Sequence, residues 1–93
     1  MNGDLILEDF SSVDLSDIKL PIVVVYFDPK DYPDKYVARI WDASIINART
    51  NIVLVEDDLD TIRREILASR PYNVTRFDRA ESDDPKIVEC YLL

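Results

Sequence analysis

Hydrophobic positions in this chain fall into a few short runs and one helical stripe. Residues 22–27 (IVVVYF) are apolar without a break, rich in β-branched side chains and bounded by Pro21 and Pro29. A short run that is apolar on both faces predicts a central strand, and the flanking prolines favour that over a buried helix. Residues 36–42 (YVARIWD) alternate instead. Period two places Val37, Arg39 and Trp41 on one face, and Tyr36, Ala38 and Ile40 on the other. Residues 51–55 form a third strand. Residues 73–79 (NVTRFDR) and 87–93 (IVECYLL) alternate again and predict a fourth and a fifth.

The helix follows the third strand. Leu59, Ile62 and Ile66 recur at the spacing of one helical face, with Leu67 at its edge. Asp57 or Asp58 is placed to accept the free amides of the first turn, and Asp60 puts a negative charge at the positive helix end. Asp60 and Arg64 are spaced as an i,i+4 ion pair, while Arg63, Arg64 and Glu65 are expected to face water. Pro71 stops the helix at or before Arg70. A helix this short is marginal alone, so it must lie on the sheet.

The order β-β-β-α-β-β predicts an α+β domain. Its expected form is a largely antiparallel five-stranded sheet with one helix on one face. Residues 21–93 form the single domain. Residues 1–20 form a partly ordered N-terminal arm, in which Leu5, Ile6 and Leu7 are an optional short strand. One helix cannot cover both faces of such a sheet. The open face is expected to carry Tyr36, Trp41, Tyr72 or Tyr91, and to be covered by the arm or by another chain. These four aromatics are the candidate partner-binding residues.

The only glycine among the 93 residues is Gly3. Hairpins must therefore use longer loops, or Asn and Asp where a positive φ is needed. Residues 28–35 (DPKDYPDK) supply such a loop, and Asn47 is a further left-handed candidate. Asp28, Asp31 and Asp34 recur every third residue, but a calcium loop needs a denser set of oxygen ligands, so they read as turn formers. The formal charge is −8 at pH 7. An acidic chain repels phosphate backbones, which argues against direct nucleic-acid binding and allows a basic partner.

Chemistry is sparse. There is no histidine, and Cys90 is the one cysteine. That removes imidazole acid–base work, Ser–His and Cys–His nucleophiles and thiolate zinc sites. No phosphate-binding loop can be built without glycine. The acidic cluster Glu56, Asp57, Asp58 and Asp60 is the one seat for a hard cation or a carboxylate-assisted hydrolysis. A helix start explains the same residues. The reading is non-enzymatic, with no cofactor. No apolar run is long enough for a bilayer, and no signal peptide is visible, so a cytoplasmic protein with no membrane partner is expected.

The stretches DYPDKYVARIWD, TNIVLVEDD and LDTIRREI resemble a group of uncharacterised small acidic bacterial proteins. Residues 22–79 also resemble, in topology, the HicB-type antitoxin domains that cap a small toxin RNase, although the glycine turn of such domains is absent here. The first resemblance implies no activity. The second implies an inhibitor that binds a basic nuclease surface through clustered carboxylates. Two functions follow as expectations. One is a small non-enzymatic protein-interaction or regulatory module of bacterial, phage or mobile-element origin, with a protein partner or self-association. The other is an antitoxin-like or anti-defence inhibitor.

Overall fold

The computed structural model describes residues 3–16, 18–45, 49–69, 75–78 and 85–93, with the backbone alone for Phe77 and Asp78. Tyr72, Asn47, the start and end of the expected fourth strand and most of the turn after it lie outside the described residues. Strands β1 (Leu5–Ile6), β2 (Pro21–Phe27), β3 (Tyr36–Asp42) and β4 (Arg49–Glu56) precede helix α1 (Leu59–Ser69). Strands β5 (Thr75–Asp78) and β6 (Ile87–Leu92) follow it. The architecture is α+β, with one helix and a six-stranded mixed sheet of order β1-β4-β3-β2-β6-β5.

The continuous run in β2 explains its place. It pairs antiparallel with β3 on one side and with β6 on the other, so both of its edges are paired, and Val23, Val24 and Val25 are buried. β3 and β4 continue the meander, and β5 pairs antiparallel with β6. The expected largely antiparallel five-stranded sheet falls short by one strand, the optional one in the arm. Leu5 and Ile6 pair parallel to Ile52 and Val53, which makes a sixth strand and a mixed sheet. A two-residue strand has no period to read. It is held from outside itself, as Leu7 N–H donates to the Val53 carbonyl (2.9 Å).

The glycine-free β2–β3 hairpin turns as an eight-residue loop. Asp28 and Asp34 take positive φ (55° and 62°). Asp34 N–H donates to Asp28 Oδ1, and Asp28 N–H donates to the Lys35 carbonyl, both at 2.8 Å. Aspartate tolerates the left-handed region because its short carboxylate bonds locally.

The core lies between α1 and one face of the sheet. Ile62 and Ile66 are fully buried against Val23, Val25, Ile40 and Leu54, and Leu59 packs at the margin. Leu67 is 49% exposed, as an edge position should be. The first turn is capped by Asp58, which accepts from Thr61 N–H (2.9 Å) and Thr61 Oγ1–H (2.7 Å). Arg64 reaches back to Thr61 Oγ1 (3.5 Å) rather than to Asp60.

Two helix positions depart from expectation. Arg63 and Glu65 are half-buried rather than fully in water. The Arg63 guanidinium turns down to Glu89 in β6, with Nη2 at 2.6 Å from Oε1 and Nε at 3.0 Å from Oε2. Glu89 is 2% exposed and also accepts from the Tyr91 hydroxyl. Burial works against its ionisation, but the Arg63 and Tyr91 bonds outweigh that and hold its pKa below the usual carboxylate range. Burial, with Glu89 next, pushes the Tyr91 hydroxyl well above its usual value.

From Leu7 onwards the arm covers the helix side rather than the open face. Phe10 is fully buried in the core, and Leu7, Val13, Leu15 and Ile18 pack beside it. Phe10 N–H donates to Ser69 Oγ (2.8 Å), whose hydroxyl donates to the Glu65 carbonyl (2.8 Å). At the far end of the arm Asp42 accepts from the amides of Lys19 and Leu20 (both 3.3 Å) and from both donors of Ser44. Among the described residues no helix is long and apolar enough to cross a membrane.

Candidate binding site on the second face

The face away from α1 carries Tyr26 from β2, Val37, Arg39 and Trp41 from β3, and Val53 and Arg49 from β4. Tyr26 stands opposite Val37, Arg39 opposite Val53, and Trp41 opposite Arg49. Alternation alone divides β3 in this way. Arg39 is buried at 8% exposure, which an arginine in mid-strand tolerates only with a partner. The partner is Asp4. Its two oxygens accept from Arg39 Nη1 and Nη2, each at 2.8 Å, in a bidentate pair. Nη1 also donates to the Thr50 carbonyl (2.8 Å). The guanidinium is therefore spent on Asp4 and the backbone.

Asp4 has a second tie. The Tyr32 hydroxyl donates to its Oδ2 at 2.8 Å. Tyr32 sits in the β2–β3 loop, so this bond fastens the loop over the sheet. The side chains of Asp4 and Arg39 are only 5% and 10% exposed. The Arg39 bonds hold the Asp4 carboxyl below its usual range, against burial, with help from Tyr32 and the nearby Arg49.

Between the fastened loop and the sheet lies a cavity of about 490 Å³. Tyr26, Val37 and Trp41 line it from the sheet and Tyr32 from the loop. All three aromatic residues are half-buried. Four of the lining residues, Lys30, Arg39, Arg49 and Lys86, are cations, and one, Asp31, is an anion. Asp4 neutralises Arg39, and Asp28 Oδ2 lies 4.0 Å from Lys86 Nζ, which leaves Lys30 and Arg49 against Asp31. Lys30 and Arg49 form no side-chain hydrogen bond or ion pair with any described residue. Lys86 Nζ donates to the Asp28 carbonyl (2.6 Å), which turns it towards the loop. The Trp41 indole N–H is buried and has no acceptor among the described residues.

Of the aromatics offered as candidates for the open face, only Trp41 lies there among the described residues. Trp41 lines the cavity. Tyr36 lies on the helix side, packed against the core and against the Phe27 ring at a centroid distance of 4.7 Å. Tyr91 is 1% exposed beneath α1 and offers no surface. Its register opposite Val23, a core residue, sends it to the covered face. Tyr72 lies outside the described residues. The cavity's other aromatics, Tyr26 and Tyr32, were legible only in part. Tyr26 closes an apolar run, and Tyr32 sits in a loop whose path depends on Asp4.

The acidic cluster divides by role. Asp58 caps the helix, Asp57 pairs with Lys35, and Asp60 is exposed in the first turn. Glu56 points at Glu65. Burial first, then the bond and charge of Glu56, with Asp9 and Glu8 nearby, raise the Glu65 pKa to about 7. Among the described residues no three cysteine, aspartate or glutamate side chains converge as metal ligands.

The chain matches no protein-family model, no curated protein and no solved structure. Its functional reading therefore rests on this geometry.

Proposed function

We propose that the protein is a small non-enzymatic binding and regulatory module whose working surface is the second face of the sheet. One observation carries this. Half-buried aromatics beside Lys30 and Arg49, which make no side-chain bond among the described residues, sit in a fold whose other face is covered by its own helix and arm. Aromatic side chains around a concavity of this size are the usual setting for recognition. The missing histidine and the single cysteine, Cys90, buried within β6, support a non-enzymatic role. An acidic cytoplasmic module of bacterial or mobile-element origin, bound to a protein or other cellular partner, fits the same features.

The test is an amide and indole NMR spectrum of the labelled protein in a bacterial extract. The extract is separated into small molecules and macromolecules. Signals of Trp41, Val37 and Tyr26 are expected to move with one of the fractions while those of Ile62 and Ile66 stay. Movement confined to α1, or none with either fraction, would overturn the reading.

A second reading has its own observation. Burial first, and then Glu56 with Asp9 and Glu8 nearby, hold the Glu65 carboxyl at a pKa of about 7. Crowding like charges opposes folding. A basic nuclease surface set against them would relieve it, as the resemblance to HicB-type antitoxin domains implies. Such a complex weakens steeply with ionic strength, and binding indifferent to salt would exclude it.

A further inference from the structure

We infer that the second-face cavity is a binding site for a small organic anion that joins a planar ring to a carboxylate or phosphate. This rests on the reading of the second face as the working surface, and it names the ligand. Three features argue for it.

The first is volume. About 490 Å³ lies within the ~300–1,000 Å³ of sites that enclose small molecules. The second is the aromatic lining. Tyr26 and Trp41 rise from neighbouring strands and Tyr32 stands over them from the loop. Between them is a place for a flat ring, which stacks on aromatic faces with little loss of freedom. The third is charge. Arg49 stands directly across the ladder from Trp41, and Lys30 sits on the loop side of the same cavity. Neither has an acceptor among the described residues. An anion between them forms charge-assisted hydrogen bonds, and the arginine fork suits a carboxylate or phosphate. Arg39 is excluded from this role because Asp4 already takes both of its nitrogens. Its part is to hold the loop in place through Asp4 and Tyr32.

The whole chain repels anions, so a cation pair beside one aromatic cavity selects for the ligand rather than adding general stickiness. A neutral ring lacks the charge contacts. A bare anion lacks the stacking. Affinity therefore depends on having both.

The experiment uses Trp41, the one tryptophan, as its reporter. Its fluorescence and its indole NMR signal are followed during titration. The probes are adenosine 5′-monophosphate, 4-hydroxyphenylacetate, adenosine and inorganic phosphate. At least one ringed anion is expected to saturate the signal, with adenosine and inorganic phosphate each at least tenfold weaker. Arg49→Gln with Lys30→Gln should lower that affinity at least tenfold. Lys19→Gln, an exposed residue away from the cavity, should leave it unchanged. Preference between the two ringed anions tells phosphate from carboxylate. Three results would overturn the inference. They are no saturable response to either ringed anion, equal binding by the double variant, and inorganic phosphate binding as tightly as the nucleotide, which would mean an adventitious ion only. If second-face signals move with the macromolecular fraction of the extract while both ringed anions fail, this inference falls and the module reading stands.

Discussion

Asp4 ties the arm, the sheet and the β2–β3 loop together. It neutralises a buried arginine, and through Tyr32 it fastens a loop across the sheet. Asp4→Asn would leave Arg39 buried without its counter-charge and should cost roughly 3 kcal/mol, read by urea denaturation. The acid sign follows from the lowered pKa. The contribution is fully present above the unfolded value near 3.8 and is lost as pH falls through the lower folded value. The wild type should therefore weaken below pH 4 more than the variant does. Glu65 has the opposite sign. Its folded pKa is raised to about 7 from 4.5, so the folded state holds a proton that the unfolded chain has released. Stability from this group is present below pH 4.5 and drains away as pH rises from 4.5 to 7. Glu65→Gln should flatten that slope. At pH 8 it should raise Tm by roughly 4–8 °C, the shift that about 1 kcal/mol gives in a domain of this size.

At the scale of elements, the helix was the most legible part. Leu59, Ile62 and Ile66 announce its buried face, and the acids before them announce its start. Ile62→Ala or Ile66→Ala should cost ~2–5 kcal/mol by denaturant titration, as fully buried aliphatic truncations do. Leu67→Ala, at the exposed edge, should fall within ~0.5 kcal/mol of wild type. The arm was the least legible element. Phe10 is a lone apolar residue among Asp9, Ser11 and Ser12, with no period to mark it, yet it fills the core beside α1. Phe10→Ala should cost ~3–5 kcal/mol, as much as a core helix residue. A small effect would show the arm to be loosely attached. Glu89 and Tyr91 were placed on one face by alternation. Which face that was depended on strand order, since β6 lies beside β2 and not beside β4. Arg63 was misread for the same reason, because its acceptor lies 26 residues away on that strand.

At the scale of the molecule, the sheet has two unlike sides. One is closed by α1 and the arm into a conventional core. The other is bridged by a glycine-free loop that leaves an aromatic cavity beside cations. Strand alternation revealed which β3 residues share this second side. The cavity itself was not legible, because its loop is tied to the sheet through Asp4, which lies 28 positions from Tyr32 and 35 from Arg39. Its polarity is the central claim, and quenching of the one tryptophan measures it directly. Iodide and caesium should be compared as quenchers of Trp41 at low ionic strength. A cation-lined cavity draws the anion in, so iodide should quench more strongly than caesium. Arg49→Gln with Lys30→Gln should reverse or abolish the difference. Stronger quenching by caesium in the wild type, as the net charge of −8 alone would dictate, would contradict the account.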